Sequence, residues 1–280
     1  MNAEYVLVVG GADTGKTHYG TQLMLRLEKQ DSQAHYFEPP TSIEPFREAM
    51  KSLNLGKSAD HTVGTTIKET TLPLEFPDGY RARTVWPDYA GEQLRKLVRD
   101  RHAGTTWAER ARTSDAWLLF VRHDHFKESR DLLNRPVMTW TACRKTPTEP
   151  IDWMPQAQHI EMLQMLLFLR KASCRVPLRC PRLGIVLSCW DTFPEQKAFE
   201  RPEEALHAFA PLLADFIESN WHRTARFVVA LSALGKPLDK VKGDEEFVDR
   251  GPAAHGWVIK PDGQRSADLT WPLVQLARMQ

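Results

Sequence analysis

An excess of charge of either sign is missing from this sequence. Its 37 Lys and Arg residues stand against 36 Asp and Glu, a formal net charge of +1, so bulk electrostatics give no case for a nucleic-acid or membrane-surface partner. Cysteine is scarce as well. Cys143, Cys174, Cys180 and Cys189 form no C-x-x-C pair, which removes the common zinc spacings and leaves reduced thiols, the default for a cytoplasmic protein. The longest apolar cluster, Met162–Leu169, is interrupted by Gln164 and falls far short of the roughly 20 residues that a bilayer-crossing helix needs. No charged-then-apolar leader comes before the first apolar run, so a secretory signal is not expected. Internal repeats and low-complexity tracts are also missing. What is present is an ordinary globular composition, 42% hydrophobic and 26% charged over 280 residues, with enough chain to bury a substantial core.

The most informative stretch is EYVLVVGGADTGKT, residues 4–17. Tyr5 to Val9 is a short β-branched apolar run that predicts a buried strand. It enters Gly10-Gly11-Ala12-Asp13-Thr14-Gly15-Lys16-Thr17, which fits G-x-x-x-x-G-K-[ST] without a mismatch. Glycines let successive backbone N–H groups curl around a phosphate, Lys16 adds a point charge, and Thr17 can offer its hydroxyl to Mg²⁺. The N-terminus of the helix predicted over Tyr19–Lys29 adds partial positive charge.

Further along, Ile43, Phe46, Met50 and Leu53 recur at helical spacing. Thr70–Phe76 and Tyr80–Trp86 predict two strands joined by an Asp78-Gly79 turn. A charged helix is expected over about 92–112, a buried strand over Ala116–Val121, an apolar helix over Ile160–Leu169 and a strand over Leu183–Leu187. One helix is then expected from Pro202 to Trp221, a strand over Phe227–Leu231, a hairpin around Trp257–Ile259, and a closing helix over Ala267–Met279 with Pro272 near its first turn. Strands alternate with helices after the first hairpin, which predicts an α/β fold: a mostly parallel sheet wrapped by helices. The expected organisation is a single domain over residues 1–280, with insertions at about 122–155 and 236–266.

Several chemistry-bearing clusters fall at strand ends, where ligand contacts gather in α/β sheets. They are Thr66 (with Thr65 beside it) in a polar loop, D-x-x-G at Asp88–Gly91, Asp191, and S-A-x-G at Ser232–Gly235. With the phosphate loop ahead of them in this order, the sequence resembles the Ras-like, translation-factor-like class of P-loop GTPases. Within that class it is most similar to the bacterial double-GTPase and GTPase-associated conflict-system families. The resemblance runs from Gly10 to Gly235 and implies the three-layer sandwich of a P-loop NTPase, with one antiparallel edge strand made by the hairpin. It also implies nucleotide contacts from Gly10, Asp13, Thr14, Gly15, Lys16, Thr17 and His18, and a Mg²⁺ shell of Thr17, Thr66 and Asp88. The Gly91 N–H would meet the γ-phosphate, Asp191 would accept two hydrogen bonds from the guanine edge, and Ser232 and Ala233 would support the base. Lys16, Thr66, Gly91 and Glu92 would form the catalytic set. Each position also has a plain alternative: Thr66 as a turn residue, Asp88 as a helix cap, and Asp191 as a cap before Phe193-Pro194.

The sequence departs from the family pattern in three places. The guanine motif reads Ser188-Cys189-Trp190-Asp191, without the lysine that packs over the base; Trp190 either stacks on the base or lines the pocket wall. Glu92 stands where relatives place a water-orienting glutamine, which implies slow intrinsic turnover and an arginine supplied by a partner. Asp13 stands where some relatives use Asn or Asp to bind K⁺. The expected function is therefore a cytoplasmic guanine-nucleotide switch that hydrolyses GTP to GDP with Mg²⁺, slowly, and regulates a protein partner in a bacterial conflict or defence system. The alternatives are a nucleotide-loaded structural adaptor with little hydrolysis, and a P-loop ATPase or kinase with lid arginines among Arg122, Arg130, Arg135 and Arg144. His123-Asp124-His125 has the composition of a metal ligand set but no further ligands in view. The basic run Arg95, Lys96, Arg99, Arg101 fits a solvated helix face.

Overall fold

The computed structural model describes residues 3–29, 32–59, 68–88, 98, 100–126, 155–193 and 199–279. Strand β1 (Glu4–Gly10) leads through the glycine loop into helix α1 (Lys16–Glu28). The short β2 (His35–Tyr36) and α2 (Glu44–Asn54) come before a hairpin of β3 (Lys68–Glu75) and β4 (Arg81–Asp88). Next come α3 (Thr105–Thr113), β5 (Ala116–Arg122), α4 (Pro155–Arg170) and β6 (Arg182–Ser188). They are followed by α5 (Pro202–Phe209), α6 (Pro211–Asn220) and β7 (Arg226–Ser232). The chain closes with α7 (Glu245–Arg250), β8 (Trp257–Ile259), β9 (Arg265–Ser266) and α8 (Trp271–Arg278).

These strands form one sheet in the order β2-β3-β4-β1-β5-β6-β7-β8-β9. The central strands β4, β1, β5, β6 and β7 run parallel to one another. They are near-continuous apolar runs because helices cover both faces of the sheet. Antiparallel pairs occupy the margins. The hairpin strand β3 is therefore not the last strand, because β2 pairs outside it. On the other side, the stretch after residue 236 extends the sheet by β8 and β9.

The period-2 alternation of β5 divides the core. Trp117, Leu119 and Val121 face a cluster with Trp107, Leu163, Leu166, Leu213 and Ile217 from α3, α4 and α6. Ala116, Leu118 and Phe120 face the opposite cluster, with Tyr19, Leu23, Phe46, Leu273 and Leu276 from α1, α2 and α8. The result is a helix–sheet–helix sandwich, the expected fold class. Among the described residues, no helix is long and apolar enough to cross a membrane.

Three helix boundaries differ from those expected. Arg101 is left-handed (φ 51°) and residues 101–104 are not helical, so α3 begins only after the extended Gly104. The helix expected from Pro202 to Trp221 is two helices. Pro211 has no N–H to donate and crowds the preceding turn, and Ala210 leaves helical geometry at φ −139°, ψ 55°. At the carboxyl end, α8 starts at Trp271, which places Pro272 in the first turn where a missing N–H costs nothing.

Candidate functional site

The phosphate loop is shaped by positions that only small or left-handed residues tolerate. Gly10 has φ 152°, and a Cβ there would lie 2.8 Å from the Phe120 carbonyl oxygen and 2.9 Å from the Phe120 Cβ. Asp13 is left-handed at φ 57°, and Gly15, at φ 75°, starts α1 with no side chain to cap it. The first-turn N–H groups of α1 therefore face the loop rather than a capping oxygen, the arrangement that binds phosphate. Lys16 Nζ lies within the loop, donating to the Gly10 carbonyl at 3.0 Å and to Thr14 Oγ1 at 3.1 Å, and to the Gly11 carbonyl. Thr14 is buried, and its hydroxyl donates to the Gly11 carbonyl at 3.0 Å. The helix behind the loop is pinned from three sides. Tyr19 is fully buried against Trp86 and Phe120, and its hydroxyl donates to the Leu269 carbonyl at 2.8 Å.

One residue past Thr17, the half-buried ring of His18 accepts a hydrogen bond at Nε2 from the Ala59 N–H, 3.0 Å away. The acceptor role requires an unprotonated Nε2. Burial, and secondarily the charge of Arg122, lowers the His18 pKa to about 4.

The opposite end of the site is built by the carboxyl ends of β6 and β7. Ser188, the last residue of β6, donates through its hydroxyl to the Val121 carbonyl at 3.2 Å. Cys189 is left-handed (φ 55°), and its Sγ lies 3.4 Å from where a Gly15 Cβ would be. This contact seats the S-C-W-D turn against the phosphate loop. Burial pushes the Cys189 thiol up to about 11, so it is a neutral packing group. Asp191 accepts a 2.6 Å hydrogen bond at Oδ1 from Ser232 Oγ, and Ser232 Oγ in turn accepts from the Gly235 N–H at 2.8 Å. Ser232 is fully buried and orients the carboxylate from beneath. Trp190 stacks on Phe193 with ring centroids 4.3 Å apart and planes 10° apart, which occupies one of its two faces. A cavity of about 380 Å³ borders Gly235, Lys236, Trp257 and Arg265. It shares no residue with the phosphate loop but borders the S-A-x-G turn at Gly235.

This geometry puts a phosphate loop, a carboxylate held by S-A-x-G, and the end of β4 on one edge of the sheet. The profile of the Double-GTPase 1 family matches residues 7–276. The chain belongs to that family. Membership makes it a GTP-binding GTPase, and the ATPase and kinase alternatives fall away. No curated protein matches the sequence. Among solved structures it is similar to the bacterial selenocysteine-specific elongation factor EF-Sec, with 16% identity, a TM-score of 0.37, and coverage of 83% of this chain and 26% of that one. It is also similar to the S. cerevisiae Ski7 GTPase-like domain bound to GTP, with 14% identity, a TM-score of 0.44 and coverage of 83% and 43%. A third is the Arl6 BBS3 small GTPase from Trypanosoma brucei with a bound nucleotide analogue, with 13% identity, a TM-score of 0.39 and 100% coverage of each chain. The Double-GTPase 1 chain spans about a quarter of the elongation factor and under half of the Ski7 chain. At these scores the likenesses add nothing about activity.

In this Double-GTPase 1 protein, Gly10, Asp13, Thr14, Gly15, Lys16, Thr17 and His18 come together as one loop and first helical turn. Asp191 at the end of β6 and Ser232 and Ala233 at the end of β7 come together two and three strands away. Beyond the Leu7–Val85 pair, β1 ends at Gly10 and β4 at Asp88, three residues on in each strand. Asp88 and the loop that leads to Thr17 therefore lie at the same sheet edge. Hydroxyl and carboxylate are hard oxygen donors, a set that fits Mg²⁺. Thr66, Gly91 and Glu92 lie outside the described residues. His123-Asp124-His125 is not a metal cluster: Asp124 pairs with Arg122, and His123 packs edge-on to Phe193 at 4.8 Å. The three groups at Glu203, His207 and Glu218 lie close enough to share a metal, but Arg226 already bridges the two carboxylates. Sequence reasoning named Arg122 only as a candidate lid arginine and missed its hydrogen bond to the Asp13 carbonyl, and it missed His18 as a tether to Ala59. An arginine at a strand end belongs to no motif, so the only available signal was its position on the strand that follows the phosphate loop in the sheet.

Proposed function

We propose that this chain, one GTPase domain over residues 1–280 with two insertions, is a cytoplasmic switch that hydrolyses GTP to GDP slowly and signals to a protein partner. The observation that carries this reading is the Ser232–Asp191 hydrogen bond at 2.6 Å, placed one strand-end turn away from a phosphate loop that Cys189 touches. It presents a fixed carboxylate to the N–H edge of a guanine whose phosphates lie on the α1 N-terminus. Within the site, the loop N–H groups and Lys16 bind the β- and γ-phosphates, and Thr17, Asp88 and Thr66 hold Mg²⁺, which neutralises phosphate charge when bound. Glu92 follows the Gly91 N–H in the position that would orient water. A carboxylate there repels the anionic phosphate, which supports slow turnover and a need for a partner's arginine. The family resemblance supports placing the output in a bacterial conflict or defence system.

Equilibrium binding of GDP and ADP with Mg²⁺, to the wild type and to Asp191→Ala, tests the reading. A GDP preference that collapses in the variant is expected. Equal binding of both nucleotides by the wild type would overturn it. Single-turnover hydrolysis separates the switch from a nucleotide-loaded adaptor. The switch converts bound GTP, slowly alone and faster with its partner, whereas the adaptor leaves it intact.

A further inference from the structure

The guanine motif of this chain lacks its cation. Position 189 is a cysteine with a short, half-buried side chain turned against Gly15, and nothing at that position can reach over a base. The sheet order decides where a replacement could come from. The phosphate loop follows β1 and Asp191 follows β6, and β5 lies between them. A nucleotide with its phosphates on the first and its base on the second must pass over the end of β5. The last residue of β5 is Arg122, in register with Ser188 of the guanine motif.

The Arg122 guanidinium is placed there by both neighbours. Nη1 donates to the Asp13 carbonyl of the phosphate loop at 3.1 Å. Nη2 donates to Asp124 Oδ2 at 2.7 Å, and Nε lies 2.7 Å from Asp124 Oδ1. One hydrogen bond and this close ion pair hold the guanidinium beside Asp124. The side chain remains 27% exposed, so one part of it faces outward. Its charge also reaches the Cys189 thiol, whose ionisation it favours against burial. It therefore stands between the phosphate loop and the S-C-W-D turn.

Given the guanine-nucleotide reading on which this rests, we propose that Arg122 is a nucleotide-binding residue that replaces the missing lysine. From the end of β5, its planar cation packs against the ribose and base while Asp124 holds it in position. A guanidinium is suited to the task because it stacks on π-faces and stays protonated.

The test is equilibrium binding of GDP with Mg²⁺ to the full-length wild type, Arg122→Ala, Arg122→Gln and Arg122→Lys. Arg122→Ala is expected to weaken GDP binding at least tenfold. Arg122→Gln keeps a donor for the Asp13 carbonyl but has no charge, and it is expected to lose as much. Arg122→Lys, which restores the cation, is expected to stay within about threefold of the wild type. Wild-type affinity in Arg122→Gln would show that the residue only props the phosphate loop, and it would overturn the proposal even if Arg122→Ala failed to fold. Wild-type affinity in Arg122→Ala would overturn it as well. A wild type that binds no GDP would instead overturn the functional reading beneath it.

Discussion

Substituting Ser232 by alanine removes one oxygen atom from a fully buried position, and the consequence for guanine recognition follows from two distances. The hydroxyl donates to Asp191 Oδ1 at 2.6 Å and accepts from the Gly235 N–H at 2.8 Å. A hydrogen bond to a charged group contributes about 1.5–3 kcal/mol. Without it, Asp191 can rotate away from the base, and binding must restore its orientation. Because about 1.4 kcal/mol corresponds to a factor of ten, Ser232→Ala should raise the GDP dissociation constant by roughly tenfold to a hundredfold. Where guanine presents N1–H and its 2-amino group to Asp191, adenine presents an acceptor N1 and a C2–H, so the ADP affinity should not change. The orphaned Gly235 N–H should lower stability by about 1 kcal/mol, a separate effect visible in urea unfolding. Calorimetric titration of GDP into the wild type, both single variants and the double variant with Asp191→Ala provides the check. If Ser232 acts through Asp191, its loss should add less than about threefold once Asp191 is gone. Full additivity, or wild-type GDP affinity in Ser232→Ala, would refute the reasoning.

Two further outcomes follow from the surroundings of the loop. His18 has a folded-state pKa of about 4 against an ordinary value of 6.5, so it contributes stability that is complete above about pH 6.5 and lost as the pH falls toward 4. The loss amounts to at most about 3 kcal/mol; thermal melts of the nucleotide-free protein across that range should flatten in His18→Leu, and an unchanged slope would refute the assignment. Gly20→Ala would place a Cβ 2.4 Å from Phe46 Cε1, and Phe46 is buried edge-on against Trp86 and cannot yield. Overpacking of about 1–3 kcal/mol should exceed the roughly 1 kcal/mol gained in helix propensity, so the urea midpoint should fall; a raised midpoint would mean that α2 moves freely.

Much of the fold could be read directly from the sequence because its signals are local. The apolar runs ending at Val9, Val121, Leu187 and Leu231 need two covered faces, and they became the parallel centre of the sheet. Asp78-Gly79 marked the hairpin between β3 and β4, with Gly79 at φ 77°. The breaks at Pro211 and around Arg101 were missed because an amphipathic pattern can continue across a point where the backbone cannot. Trp190 was ambiguous because its stacking partner, Phe193, is set by the local turn rather than by any spacing rule.

By itself, the sequence determined the phosphate loop, the α/β class and the order of the strand-end clusters. These depend on residue type and short spacing: glycines where φ must be positive, a lysine after the last of them, and polar residues where apolar runs stop. Only the tertiary structure decided that Ser232, 41 residues on, holds Asp191, that His18 receives Ala59, and that Arg122 stands on the loop that precedes it by 109 residues. The first contact exists because β6 and β7 are neighbours, and the last because β5 lies between β1 and β6 in the sheet. That neighbourhood is set by the packing of all the strands together and is encoded at no single position.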